Sequence, residues 1–308
     1  MELTRHQKLY ILDGDIVLSA PKKDDPSRGI VFRIHKGILS YHSPIFSGIL
    51  SIPSSPASNE VYDGTILIRL ADDAEDLAAL LEAIYDPSTL QFKHMDPNLP
   101  IVARGILTVA TKYEIHSIRQ CIVKRLESDW PQTLRGWENL VASKRTRLEP
   151  AAAIRLATEF DIPSILPAAF YALVQINPEQ EWSMSGDIVR GARWDMLHAE
   201  DYRRYVRGKH NLAVKMKEMY NNVFKVDGAC CESLTRCRKT LNEACRGDAQ
   251  DFLLPDPLRI FIGSWSAKKL AVCLDCHLSV IINDYKAREE LWEGLPEIFQ
   301  LPKTSLTA

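Results

Sequence analysis

The chain has 308 residues, which is enough for about two domains of ordinary size. Hydrophobic residues make up 46% of the sequence and charged residues 25%, a composition typical of folded proteins and not of disordered ones. The formal net charge of −2 gives no general reason to expect nucleic acid or an anionic membrane surface as a partner.

The sequence also carries no signal for a membrane or for secretion. No stretch approaches the roughly 18 uninterrupted apolar residues of a membrane span, and the first six residues lack a secretory hydrophobic core. The seven cysteines are an odd number, which without a signal peptide indicates reduced thiols. We therefore expect an intracellular protein, cytoplasmic or nuclear, with no membrane partner.

Two short apolar runs favour β-strands near the start of the chain. They lie at residues 16–18 and 30–32, and the segment between them is rich in Pro, Asp, Ser and Gly, which predicts a hairpin. After Lys36 the apolar residues recur at spacings of three and four, so the period changes from that of a sheet to that of a helix.

Further elements follow in the same order. Residues 65–70 predict a third strand, and Asp72 and Asp73 can cap the helix behind it. That helix should end before Pro87. The periodic stretch 101–126 predicts two helices, split near residues 114–117. The helix between Asp73 and Pro87 carries an apolar stripe, which consists of Leu77, Leu80, Leu81, Ile84 and Tyr85.

The segments 13–18, 30–36 and 39–46 together resemble the opening of a BTB/POZ domain. In that family an Asp-led strand pairs with a strand ending in His-Lys, and a short helix behind it carries Leu, Ser and Phe. The resemblance implies an α+β fold, with a BTB/POZ fold of a three-stranded sheet and a helical cluster over residues 13–128. It leaves residues 1–12 as an N-terminal tail and 129–308 as a mainly α-helical C-terminal region.

The resemblance also implies the positions that define the pocket and the fold of the domain. Asp15 and Lys36 should face each other in the pocket, and His35 should pack at the end of the second strand. The full set of motif residues is Asp15, His35, Lys36, Leu39, Ser43 and Phe46.

The C-terminal region is helical in pattern, and a basic stretch at residues 203–217 is interpreted as a solvated helix face. Trp292 and Phe299 near its end favour core packing. With its cysteines, the region resembles a group of fungal BTB proteins of unknown role.

A cysteine cluster spans residues 230–277. Cys273 and Cys276 have the spacing at which one turn presents two thiolates to one zinc, and Cys231 with Cys237 would complete four ligands. Cys230 is an alternative to either, and His277 follows Cys276 too directly to reach the same metal easily. The competing interpretation is a set of thiols packed as small apolar residues. A structural zinc is therefore a possible cofactor.

No catalytic motif is present in the sequence: it lacks a phosphate-binding loop, a nucleophile elbow and a dinucleotide-binding turn. We therefore expect that this protein is not an enzyme. The resemblance implies instead a protein–protein interaction module that oligomerises or serves as an adaptor, with itself or a cullin scaffold as partner. Residues 86–93 lack the apolar-x-Glu motif of many cullin adaptors. The alternative is a zinc-containing, nucleic-acid-associated transcriptional regulator, which the near-neutral charge makes an unlikely class.

Overall fold

The computed structural model describes residues 1–52, 60–142, 148–185, 188–226, 234–247, 256–258 and 272–302. The chain divides into two compact units, Met1–Asp129 and Trp130–Ala308. The first combines a mixed sheet with helices, and the second is mainly helical where it is described. The fold class expected from the sequence is confirmed.

The sheet of the first unit has five strands in the order β1-β3-β2-β5-β4. β2 and β3 form the antiparallel hairpin that the sequence predicts, whereas β1 lies parallel to β3 and β5 lies parallel to β2. The strands are β1 (Glu2–Tyr10), β2 (Ile16–Pro21), β3 (Arg28–Ile34), β4 (Val61–Tyr62) and β5 (Thr65–Arg69).

The sheet has five strands, two more than the three that the sequence predicts. Residues 1–12, which the sequence predicts to be a tail, contain β1 at the edge of the sheet. Only Leu9 of this strand is buried, because an edge strand exposes most of its side chains and then shows no clear period of two. β4 is a two-residue strand that returns to β5 through Asp63 and Gly64, both at positive φ.

The described part of the first unit also contains five α-helices. They are α1 (Lys36–His42), α2 (Pro44–Ser51), α3 (Ala74–Tyr85), α4 (Leu99–Lys112) and α5 (His116–Asp129). Of these, α3 packs against β1 and β2. α3 begins where the sequence predicts, since the Asp73 side chain accepts hydrogen bonds from the backbone N–H groups of Glu75 and Asp76 at 2.9 and 3.1 Å. α4 and α5 are separate, as expected, and Glu114 between them has φ 53°.

Apolar side chains fill both faces of the sheet. Leu18 and Phe32 lie opposite each other across the hairpin and are fully buried. The neighbouring register positions form a second cluster of Val17, Val31 and Leu67. Leu3, Tyr10 and Tyr62 pack over this cluster, so the two edge strands help to cover one face of the sheet. Residues from the unexpected strands thus contribute to the core.

The second unit contains the remaining helices and a small hairpin. They are α6 (Leu134–Ala142), α7 (Pro150–Glu159), α8 (Leu166–Val174), β6 (Ser183–Ser185), β7 (Ile188–Arg190), α9 (Ala199–Val223), α10 (Leu234–Gly247) and α11 (Leu274–Ile298). α9 and α11 have 25 residues each. None of the described helices combines the length and the apolar character that crossing a bilayer would require.

The end of α11 packs into this unit as the sequence suggests. Phe299 is fully buried and stacks on Phe170, with ring centroids 5.3 Å apart. The indole N–H of Trp292 donates to the carbonyl of Gln132 at 3.2 Å. Arg288 is also buried and pairs with Asp284 in the same helix at 2.8 Å. Burial raises the pKa of the Asp284 carboxyl, although the guanidinium of Arg288 opposes this shift.

Candidate functional site

Three cysteine sulfurs converge in the second unit. The Sγ atoms of Cys237, Cys273 and Cys276 lie within 4.8 Å of one another. Cys237 belongs to the first turn of α10, and the other two lie at the start of α11. Cys237 and Cys276 are buried, at 3% and 1% exposure, and Cys273 is partly buried. The structure therefore brings together cysteines separated by more than thirty positions in the sequence.

The start of α11 explains how two of these sulfurs reach one place. Cys273 is the N-cap residue, and its Sγ accepts a hydrogen bond from the backbone N–H of Cys276, with 3.5 Å between nitrogen and sulfur. An N-cap residue and the third residue of a helix lie on the same side of its first turn. The positive end of the helix dipole also favours negative charge on a sulfur at this position.

The sulfurs lie beside an apolar cluster formed by three segments of the unit. Val223 at the end of α9 and Leu241 in α10 are buried in it, together with Val280 in α11. Thiols suit such surroundings, but a thiolate is stable there only with compensating charge or hydrogen bonds. Cys231, the fourth predicted ligand, and its alternative Cys230 lie outside the described residues.

The BTB-like motif residues form a second group of predicted positions, and three of them are built into the core of the first unit. Leu39 is fully buried in α1. Ser43 is the N-cap of α2: its hydroxyl oxygen accepts from the backbone N–H of Phe46 at 3.0 Å and its O–H donates to the carbonyl of Tyr113 at 2.6 Å. The ring of Phe46 stacks on that of Tyr113 at a centroid distance of 4.1 Å. These residues fix α1 and α2 against the end of α4.

His35 connects the sheet to α3. It lies between β3 and α1, its backbone N–H donates to the hydroxyl of Tyr85 at 2.9 Å, and its Nδ1 lies 3.0 Å from the same oxygen. Burial raises the pKa of Tyr85, whereas the hydrogen bond from the His35 backbone opposes this shift. The geometry supports the packing role that the resemblance implies.

Asp15 and Lys36 also face each other, but they do so at the surface. Lys36 Nζ lies 3.8 Å from Asp15 Oδ2, and the two side chains are 59% and 46% exposed, respectively. The closer contact is made by the backbone, because the N–H of Lys36 donates to Asp15 Oδ1 at 2.7 Å. Asp15 thus holds the start of α1 more directly than it holds the ammonium group of Lys36.

A polar cluster at the end of α5 was missed from the sequence. Asp129 is 1% exposed and lies 2.6 Å from both His94 Nδ1 and Arg125 Nη2. It also accepts from the backbone N–H of Met95 at 3.2 Å. These bonds tie the loop before α4 to the last residue of the first unit, one position beyond the boundary expected at residue 128. No spacing rule relates an Asp to a His 35 residues earlier.

The basic residues of α9 behave as a solvated helix face. Several pair with side chains within the second unit: Arg203 with Glu200, Arg204 with Asp201, Arg207 with Gln300, and Lys215 with Glu218. The three pairs with carboxylates reduce the positive potential that a nucleic-acid phosphate would meet, whereas Gln300 is neutral.

Comparison with known families agrees with the geometry of the first unit. No curated protein matches the chain. A family model does match residues 15–129, which lie in the first unit and include β2 to β5 and the buried motif residues Leu39, Ser43 and Phe46, but not β1. The matched family is the BTB/POZ domain, which this chain therefore carries over residues 15–129.

Proposed function

We propose that this chain is a non-enzymatic interaction protein whose BTB/POZ domain self-associates. The observation that carries the proposal is the family match over residues 15–129, because BTB/POZ domains in general mediate protein–protein interaction and oligomerisation. The helical second unit would recruit another protein or extend the scaffold. The proposal places the protein in the cytoplasm or nucleus, where thiols are kept reduced.

The surface of α1 and α2 supports self-association. Tyr41 is 86% exposed and Ile52 is 67% exposed, while Ile45 between them is 37% exposed. The buried motif residues hold these two short helices from the inside, so their outward side chains are presented on a fixed backbone. Exposed apolar and aromatic side chains on a rigid element are typical of interaction surfaces.

The same contacts support a role without catalysis. The Ser43 hydroxyl, the one serine of the motif, is engaged between a carbonyl and a helix N–H and is 1% exposed. His35 is held by Tyr85 through its backbone N–H and its Nδ1, and its Nε2 lies 3.5 Å from Asp13 Oδ1. In this geometry the Ser43 hydroxyl is not presented as an open nucleophile.

Two alternative functions can be tested. An adaptor that docks on a cullin would use the BTB/POZ domain for a different protein, and a nucleic-acid-associated regulator would use the second unit. The pairing of basic residues along α9 argues against the second of these. Duplex binding with a steep salt dependence would argue for it.

Self-association is tested with two full-length copies that carry different affinity tags and are expressed together. We expect one tagged copy to capture the other, and we expect Tyr41→Glu to weaken the capture, because a charge at the centre of an apolar contact must be desolvated. Leu12→Glu is the matched control, since Leu12 is 84% exposed in the same unit but lies outside α1 and α2. Capture of a cullin by a chain that never captures its own copy would favour the adaptor reading.

A further inference from the structure

We propose that Cys237, Cys273 and Cys276 hold a structural zinc ion in the second unit. The three Sγ atoms lie within 4.8 Å of one another, and they come from the first turns of α10 and α11. Zinc holds each thiolate at about 2.3 Å, and tetrahedral ligands at that distance lie about 3.8 Å apart. A movement of about 1 Å or less brings the observed sulfurs to that separation.

The donor atoms select the metal. Thiolates are soft ligands that suit zinc, whereas Mg²⁺ and Ca²⁺ require oxygen donors. On binding, each thiol gives its proton to solvent and its sulfur bonds to the ion, with no change in oxidation state. The proposed site consists of the three described cysteines, and a structural zinc held by protein thiolates stabilises the fold.

Two features favour a metal over thiols that merely pack. A packed thiol requires only an apolar cavity, but Cys273 is partly exposed and its sulfur takes the N-cap position of α11, accepting from the N–H of Cys276. Backbone N–H groups that donate to sulfur stabilise the thiolate form that a metal needs. In addition, sulfurs from two helices converge on one point beside the buried Val223 of a third.

An ion at this position would stabilise the packing of α10 against α11. Among the described residues, the apolar cluster at the sulfurs has six buried members, Val223, Val226, Cys237, Leu241, Cys276 and Val280, with partly buried residues packed against them. An ion bonded to cysteines of α10 and α11 would link these two helices directly, in addition to the apolar contacts. We expect zinc to stabilise the second unit through binding that occurs in the folded state only.

The test uses the full chain expressed in zinc-containing medium and purified without chelator. We expect elemental analysis to find about one zinc per chain. The double variant Cys273→Ser, Cys276→Ser should fall to background, and Cys237→Ser should lose most of its metal. Cys121→Ser is the matched control and should keep its zinc, because Cys121 is an exposed thiol in α5 of the first unit.

A spectroscopic measurement on the wild-type chain covers the case in which the serine variants do not fold. Zinc is removed and replaced with Co²⁺, whose absorption reports the ligands directly. We expect the strong visible bands of a tetrahedral ion together with sulfur-to-cobalt charge transfer, both abolished when zinc is added back. A weak octahedral spectrum would overturn the proposal. Wild-type protein that contains no zinc, with these cysteines either reactive as thiols or joined in a disulfide, would overturn it as well.

Discussion

At the scale of single residues, Asp15 bonds a different group from the one that the family motif implies. The resemblance to BTB/POZ domains implies that Asp15 faces Lys36 in a pocket. In the structure both side chains are about half exposed, and the carboxylate is bonded to the backbone at the start of α1. Exposed ion pairs contribute little to stability, whereas hydrogen bonds to a charged acceptor contribute more.

A double-mutant cycle on Asp15 and Lys36 measures this difference. We expect Asp15→Ala to lower the free energy of unfolding by about 1 kcal/mol, because the N–H of Lys36 loses its acceptor. Lys36→Ala should cost less, since its backbone N–H remains, and the coupling between the two changes should stay below about 1 kcal/mol. Urea unfolding of the four proteins gives the values. A coupling of several kcal/mol would show that the pair is desolvated, contrary to its exposure.

The predictable residues share a property that the missed ones lack. Leu39, Ser43 and Phe46 occur within eight positions of one another, so a local motif can identify them. The Asp129 cluster joins residues that come together only after α4 and α5 have packed. Its members carry no local pattern, and the loop that supplies His94 has no regular period.

At the scale of elements, α9 and α11 make a contact that depends on the absence of a side chain. A Cβ atom built on Gly208 in α9 would lie 2.0 Å from Cδ1 of Phe299, which is fully buried. The two helices can approach at this point only because glycine has no side chain. Gly294, within α11, has no atom within 4 Å of the corresponding position.

Alanine at each of these two glycines should therefore have opposite effects. Gly208→Ala should destabilise the chain by about 1–2 kcal/mol, because the buried ring of Phe299 must move. Gly294→Ala should stabilise it by about 0.5–1 kcal/mol, since alanine favours the helix over glycine and no neighbour has to move. Thermal unfolding of the two variants checks the signs. Stabilisation by both would mean that Phe299 does not pack on α9 as the structure shows.

Sequence patterns predicted the elements that have one strong period and missed those that do not. β2, β3 and β5 are apolar runs, and α3 carries a regular stripe, so each was found. β1 was missed because it is an edge strand with mostly exposed side chains. β4 does carry a local signal, because Asp63-Gly64 is the dipeptide that favours a two-residue hairpin turn before β5.

At the scale of the whole molecule, the chain combines a BTB/POZ domain with a mainly helical second unit. Residues 15–129 of the first unit match the BTB/POZ domain, and we propose that the exposed apolar side chains on α1 and α2 bind a second copy. In the described part of the second unit, three cysteine sulfurs converge on one point. The local spacing of Cys273 and Cys276 predicted two of the three converging sulfurs, whereas the approach of Cys237 depends on how α10 and α11 pack.

The measurement that tests the central claim most directly is the molar mass of the purified full-length chain in solution. Light scattering or sedimentation equilibrium should be recorded over a wide range of protein concentrations, with Tyr41→Glu alongside the wild type. We predict a mass that rises with concentration from 34.9 kDa towards at least twice that value, with a weaker rise for the variant. A constant mass of 34.9 kDa at every concentration would contradict self-association through the BTB/POZ domain.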